Sequence, residues 1–87
     1  MVNDLPKEIV YSKADYLELL LETPNGITPS DVTEIYFDDV TNEAANNALR
    51  RLKKSGCATR IIDQGEYRYW ITDRGISKYD HLKSQEE

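Results

Sequence analysis

Amide and guanidinium side chains are concentrated in one stretch of the chain, TNEAANNALRRLKKSG, which runs from Thr41 to Gly56. Asparagine is a poor helix former, so solvent exposure alone does not explain why a helical pattern contains several asparagines. Asparagine can pair bidentately with adenine, arginine can pair with guanine, and a carboxylate can accept from cytosine. These residue types therefore supply the donors and acceptors that base edges require.

The same stretch has two faces when it is drawn as an α-helix at about 100° per residue. One face is apolar and is formed by Ala45, Ala48, Leu49 and Leu52. The opposite face is polar and carries, in chain order, Glu43, Asn46, Asn47, Arg50, Arg51 and Lys54. The helix therefore needs a core on one side and leaves a polar, increasingly basic surface on the other.

Charge is distributed unevenly along the 87 residues, whose net charge is −5. Residues 1–40 carry two lysines against nine acids, a net −7, whereas residues 41–78 carry eight basic residues against four acids, a net +4. A positive segment of an acidic protein can contact phosphate when the acids point elsewhere. The overall sign of the charge therefore does not exclude a nucleic acid partner.

Other classes of protein find little support. The length fits one domain, and no apolar run approaches the roughly 20 residues of a membrane helix. Cys57 is the single cysteine, which excludes an internal disulfide and agrees with a cytoplasmic location. His81 is a lone histidine, and neither a nucleophile motif nor a Gly-rich phosphate loop is present. We expect no enzyme activity, no cofactor, no metal site and no membrane contact.

Two helix starts precede this stretch. Ser12 with Asp15, and Thr28 with Pro29 and Asp31, have the spacing of capping boxes, which predicts helices over 13–22 and 29–37. The apolar positions predict buried stripes for both helices: Ala14, Leu17, Leu20 and Leu21 in the first, and Val32, Ile35 and Tyr36 in the second. Residues 1–11 form a lead-in, in which Leu5, Ile9 and Val10 are candidates to dock on the core.

The pattern changes after Gly56, which predicts the end of the third helix in a left-handed conformation. Two β-rich segments, ATRIID and EYRYWIT, flank Gln64-Gly65 and indicate a hairpin. A two-residue loop pairs Asp63 with Glu66 and Arg60 with Tyr69; like charges at the mouth leave a longer loop open. Thr72 is the predicted cap of a last helix over 73–83, with Ile76, Tyr79 and Leu82 on its apolar stripe, and 84–87 form a tail.

This order of elements predicts an α+β fold, a winged helix-turn-helix with a three-helix core, a β-hairpin wing and a C-terminal helix, over residues 12–83. ALRRLKKSG before a strand, and YWITDRG after the hairpin, resemble the recognition-helix end and the wing-to-last-helix junction of MarR-like and archaeal winged-helix regulators. ITDRG is similar to the junction of haloarchaeal phage-repressor-like proteins. The resemblance implies that the third helix enters the DNA major groove while the hairpin touches the backbone or minor groove.

With the third helix placed in this way, the division of labour along it follows from residue type, since the start of a recognition helix usually contacts bases and later residues reach phosphate. The expected base-reading residues are Asn42, Glu43, Asn46, Asn47 and Arg50. The expected backbone contacts are Arg51, Lys53, Lys54 and the wing residue Arg68. The alternative is a solvated polar face whose basic end suits the helix dipole.

The expected function is sequence-specific binding of double-stranded DNA by a small transcriptional regulator, for which both a homodimer and a monomer remain open. Trp70, Tyr79 and Leu82 are the candidates for a dimer or partner contact, and the alternative for Trp70 is that it covers the edge of the last helix. The alternative function is a winged-helix module for protein–protein contact, which would use the acidic first half and Trp70, because one scaffold hosts both uses.

Overall fold

The computed structural model describes residues 11–85, so the predicted docking of Leu5, Ile9 and Val10 lies outside the described residues. Four helices and one antiparallel hairpin follow each other along the chain. The helices are α1 (Lys13–Leu21), α2 (Pro29–Asp31), which continues as a π-helical turn (Val32–Tyr36), α3 (Asn42–Lys54) and α4 (Asp73–Gln85). The hairpin strands are β1 (Ala58–Asp63) and β2 (Glu66–Ile71), between α3 and α4.

Both predicted capping boxes are present. Ser12 and Asp15 exchange side-chain and backbone hydrogen bonds of 2.8 and 3.2 Å at the start of α1, and Thr28 and Asp31 do the same at the start of α2. At the start of α3, the Thr41 hydroxyl accepts from the amide of Ala44 at 3.1 Å. Each cap satisfies donors that a helix start leaves without an intrahelical partner.

The predicted stripe of α1 is only partly correct. Ala14, Leu17 and Leu20 are buried, but Leu21 at the last position is 37% exposed, and Tyr16 and Leu19 are buried in addition. The physical reason is that α1 lies among three neighbours, α3, β2 and α4, so its apolar face is wider than one stripe.

The second helix departs more strongly from prediction. The backbone amide of Phe37 donates a hydrogen bond of 2.7 Å to the carbonyl oxygen of Val32. The two residues are five apart, so the turn contains one residue more than an α-helical turn. The 3.6-residue spacing that predicted a buried Ile35 and Tyr36 therefore does not apply. Val32 is fully buried as predicted, but Ile35 is 63% exposed and Tyr36 is 44% exposed.

The hairpin has the predicted register and the short loop. Asp63 faces Glu66, and Arg60 faces Tyr69. Gln64 and Gly65 both have positive φ, 55° and 86°, as a two-residue type I′ turn requires. Ile27, just before α2, forms a one-residue antiparallel bridge with Tyr69.

The ITDRG segment joins the hairpin, the end of α3 and α4 at one point. The Thr72 hydroxyl donates to the carbonyl of Gly56 at 2.6 Å and accepts from the amide of Gly75 at 3.1 Å, so it caps α4 and ties it to the end of α3. A Cβ on Gly75 would lie 2.2 Å from the carbonyl oxygen of Cys57, so only glycine permits this close approach. Helix α4 ends at Gln85, two residues later than predicted. Ile76, which was predicted to lie on its apolar stripe, is 38% exposed.

The core lies where α1, α3 and the base of the hairpin meet. Its fully buried members come from α1, the segment around α2, α3 and β2: Leu17, Ile27, Val32, Ala45, Leu49 and Tyr69. Cys57 is buried beside them. Packing of Ala45, Leu49 and Leu52 on α1 fixes the rotation of α3 about its axis, and this rotation turns the opposite face of α3 outward.

Candidate nucleic-acid interface

The polar face of α3 is accessible along its length. Its terminal residues are exposed, and Asn46 and Asn47 in the middle of the helix are half-buried. Cations occupy the last turn and Glu43 occupies the first, an arrangement that also suits the helix dipole. The expected outward orientation of the amide and guanidinium side chains is therefore present, although the helix dipole alone would favour the same charge order.

An open groove lies beside the first half of α3. Asn42, Glu43 and Asn46 form one wall, the start of α2 contributes Pro29 and Ser30, and the wing contributes Ile62, Gly65, Glu66 and Tyr67. The Ser30 hydroxyl donates to Glu66 Oε1 at 3.0 Å, which ties the wing to α2 and fixes the width of the groove there. We call this depression the start groove. It combines amides, two carboxylates and apolar wing side chains.

A second depression lies beside the other half of α3 and has a different composition. It is lined by Asn47, Arg50, Arg51, Lys53, Lys54 and Arg60. We call it the cationic cleft, because five of these six residues carry a positive charge and no carboxylate among residues 11–85 lines it. The cleft divides the five residues expected to read bases, since Asn47 and Arg50 lie here while Asn42, Glu43 and Asn46 lie in the start groove.

Arg60 is a member of the cleft that the sequence analysis did not select. Its guanidinium carbon lies 3.8 Å from the centre of the Tyr67 ring, and its Nη1 donates to the Tyr69 hydroxyl at 3.0 Å. This hydrogen bond is the main cause of a raised pKa of Arg60. The predicted hairpin register could have identified Arg60, because it pairs Arg60 with Tyr69 and paired residues lie on the same face of a hairpin. With Tyr69 facing inward, Arg60 lies on the hairpin face that turns toward α3.

Arg68, which was expected to contact the DNA backbone, lies on the other face of the hairpin. Its Nε donates to Asp63 Oδ2 at 2.7 Å, and its Nη1 lies 3.4 Å from the carbonyl oxygen of Gly26 and 3.9 Å from Asp31 Oδ2. Two carboxylates and a carbonyl thus surround this guanidinium. The structure does not bring Arg68 together with the cations of α3.

The three residues considered for a dimer or partner contact are all half-buried. Trp70 lies beside Arg68 against the turn before α2, where a Cβ on Gly26 would be 2.7 Å from Trp70 Cε2. Tyr79 and Leu82 pack against the core of their own chain. Part of each side chain therefore already has an internal role.

Three acids of residues 11–40 line a separate groove. These are Asp15 and Glu18 of α1 and Glu22 just after it, which lie together with Tyr36 and the stacked rings of Tyr11 and Phe37, whose centres are 3.8 Å apart. None of these carboxylates lines the start groove or the cationic cleft. Within residues 11–85, no group of three or more potential metal ligands occurs, and no helix has the length and hydropathy to cross a membrane.

Comparison with known proteins bears on this arrangement. No family model matches the chain, and no curated protein matches it. The crystal structure of MepR, a transcription regulator of the Staphylococcus aureus multidrug efflux pump MepA, is similar with a TM-score of 0.61 over 84% of this chain. The fold is a winged helix. The two sequences are 22% identical, and the match covers 59% of the MepR chain, so the likeness is one of fold. The predicted fold class is thereby confirmed.

Proposed function

We propose that the chain is a DNA-binding transcriptional regulator in which α3 enters the major groove of double-stranded DNA and the wing supports it. A single observation carries the proposal: the polar face of α3 is open to solvent, flanked by the wing, and free of the carboxylates of residues 11–40. A helix of this diameter fits the major groove of B-DNA, where each base pair presents its own pattern of donors and acceptors.

The start groove supports base reading. Asn42, Glu43 and Asn46 present amides and a carboxylate, which are the groups that pair with adenine and cytosine. Glu43 and Glu66 disfavour a phosphate at this position, because like charges repel each other. Asn47 and Arg50, one turn further, complete the proposed base-reading set.

The cationic cleft supports backbone binding. Arg51, Lys53 and Lys54 present three positive charges within the last turn of α3, and most hydrogen bonds between proteins and DNA go to phosphate and sugar. MepR is a transcription regulator, which agrees with a regulatory use of this fold. We extend the proposal to a two-fold dimer on half-sites, with Trp70, Tyr79 and Leu82 as the candidate contacts.

Salt-dependent DNA binding tests the proposal. A mixed-sequence duplex of about 30 base pairs, long enough for two half-sites about one helical turn apart, is titrated with the protein at several salt concentrations. If about four phosphates are neutralised, the logarithm of the affinity falls with a slope of about −3.6 against the logarithm of the salt concentration. Selection from a random duplex pool then identifies the preferred sequence.

The alternative, a module for protein–protein contact, has one observation in its favour, the groove of acids and aromatic rings beside α1, which shares no lining residue with the start groove or the cationic cleft. The same titration separates the two functions. Absence of binding to any duplex at low salt contradicts DNA binding and favours the protein partner.

A further inference from the structure

The two arginines of the wing differ in what surrounds them. Arg68 has two carboxylates, Asp63 and Asp31, within 4 Å, whereas the polar partner of Arg60 is a neutral hydroxyl and its other neighbour is an aromatic ring. A guanidinium beside carboxylates is already neutralised in part, while one held by tyrosines keeps its whole charge. Only Arg60 therefore retains an uncompensated charge for an anion.

The position of Arg60 agrees with its charge. It lines the same cleft as Arg50, Arg51, Lys53 and Lys54, so two separate elements, the last turns of α3 and strand β1, direct cations into one space. The helix dipole accounts for cations at the end of α3 but not for an arginine on a neighbouring strand. An anion with spaced negative charges accounts for both.

Arg60 is also held in place. The Tyr67 ring lies under its guanidinium, and the buried Tyr69 hydroxyl accepts from its Nη1, so the side chain has already lost much of its rotational freedom. A fixed guanidinium presents its remaining donors in a planar fork that matches the oxygens of a phosphate. Less conformational entropy is then lost when a phosphate binds.

We propose that the cationic cleft is a binding site for backbone phosphates of DNA, with Arg60 as the wing residue that contacts them and with Tyr67 and Tyr69 as positioning residues. This inference rests on the proposed function and deepens it. It moves the backbone contact of the wing from Arg68 to Arg60. The hairpin thus contributes to binding through the face that turns toward α3, while the opposite face holds the wing to the turn before α2.

The test compares two variants with the same change in charge on the same hairpin. Arg60→Gln removes one phosphate contact, so we expect the salt slope to become shallower by about 0.9 and the affinity to fall about eightfold at about 0.1 M salt. Arg68→Gln is the matched control, and we expect its salt slope to equal that of the wild type. Equal slopes for wild type and Arg60→Gln, or equal losses from both variants, would overturn the proposal.

A double-mutant cycle tests the positioning residue. Tyr69→Phe keeps every charge and frees the Arg60 side chain, so we expect weaker DNA binding. In an Arg60→Gln background the same Tyr69→Phe change should have no further effect on DNA binding, because Tyr69 acts through Arg60. An undiminished effect in that background would show that Tyr69 acts only through stability, and would contradict the positioning role.

Two further measurements keep the outcome clear. Circular dichroism melting establishes whether each variant is folded. If Arg60→Gln is not folded, Arg60→Lys replaces it. We expect Arg60→Lys to keep the salt slope of the wild type and to bind DNA more weakly, and an unchanged affinity would contradict the proposal.

Inorganic tripolyphosphate that binds the wild type more tightly than duplex DNA would assign the cleft to free anions instead. Wild-type protein that binds no duplex contradicts the proposed function itself, whereas DNA binding that ignores Arg60 contradicts this inference alone.

Discussion

The two ends of α3 face depressions of different chemistry. The start groove contains Glu43 and Glu66 with the exposed apolar side chains Ile62 and Tyr67, whereas the cationic cleft contains five positive charges. The wing borders both, and it contributes a carboxylate to the first and Arg60 to the second. A single strand of DNA backbone could not be attracted equally to both.

This difference suggests how one short helix can contact bases with one end and phosphates with the other. In the proposed complex, the carboxylates of the start groove repel phosphate, so this groove favours groups that have hydrogen-bond donors and little charge. Base edges are such groups. In the proposed complex, phosphates bind where the cations converge and fix the register of the protein on the duplex. We therefore propose that the charge on each side of the wing decides which part of the DNA each end of α3 contacts.

The largest effect is expected from the cationic cleft. Lys53→Gln combined with Lys54→Gln removes two proposed phosphate contacts, so the salt slope becomes shallower by about 1.8 and the affinity falls about 60-fold at about 0.1 M salt. The loss should be the same for the selected sequence and for mixed sequence, as measured by fluorescence anisotropy. A loss confined to the selected sequence would break the comparison, because it would place base reading in the cleft.

Arg50 lies at the boundary and sharpens the comparison. Although it lines the cationic cleft, we expect Arg50→Ala to relax base preference at one position by about 1–3 kcal/mol, the discrimination of one bidentate pair. Lys54→Ala is the matched control on the same helix and should weaken all sequences alike. If both variants cause equal losses on every sequence, Arg50 belongs with the phosphate contacts.

The smallest effect is expected from the start groove. Glu43→Gln combined with Glu66→Gln removes both carboxylates and retains the side-chain oxygens that can accept from Ser30 and from DNA. Affinity for mixed-sequence DNA should rise modestly, by about 1 kcal/mol or less, because each exposed charge contributes little. Discrimination on the selected sequence should fall at the same time. An unchanged affinity for mixed sequence would show that these carboxylates do not repel the backbone.

The parts of the fold that the sequence predicted are those that depend on near neighbours in the chain. Each predicted capping box joins residues three apart, as Ser12 and Asp15 show, and the Gln64-Gly65 turn sets the hairpin register through its own backbone angles. Of the four apolar positions predicted for the buried face of α3, Ala45, Leu49 and Leu52 are buried, and Ala48 is half-buried. They follow from the helical period because α3 packs with one face on the core.

The errors arose where the local helix geometry departs from the α-helical period or where distant segments decide the environment. Ile35 and Tyr36 were predicted to be buried, but the π-helical turn changes the spacing on which that prediction rested. Leu21 is exposed although it fits the stripe of α1, because three elements packed around α1 select other residues. A periodic pattern identifies an amphipathic helix, but it does not determine where the neighbouring elements lie.

The candidate site shows the same division. The sequence by itself determined that α3 has an amide-rich start and a basic end, since both lie within one helix with a cap at each terminus. Only the tertiary structure decided that Arg68 is surrounded by Asp63, Gly26 and Asp31, and that Arg60 joins the cations of α3. The physical reason is that a helix fixes the spacing of its own side chains, whereas charges on separate segments meet only after the core has brought those segments together.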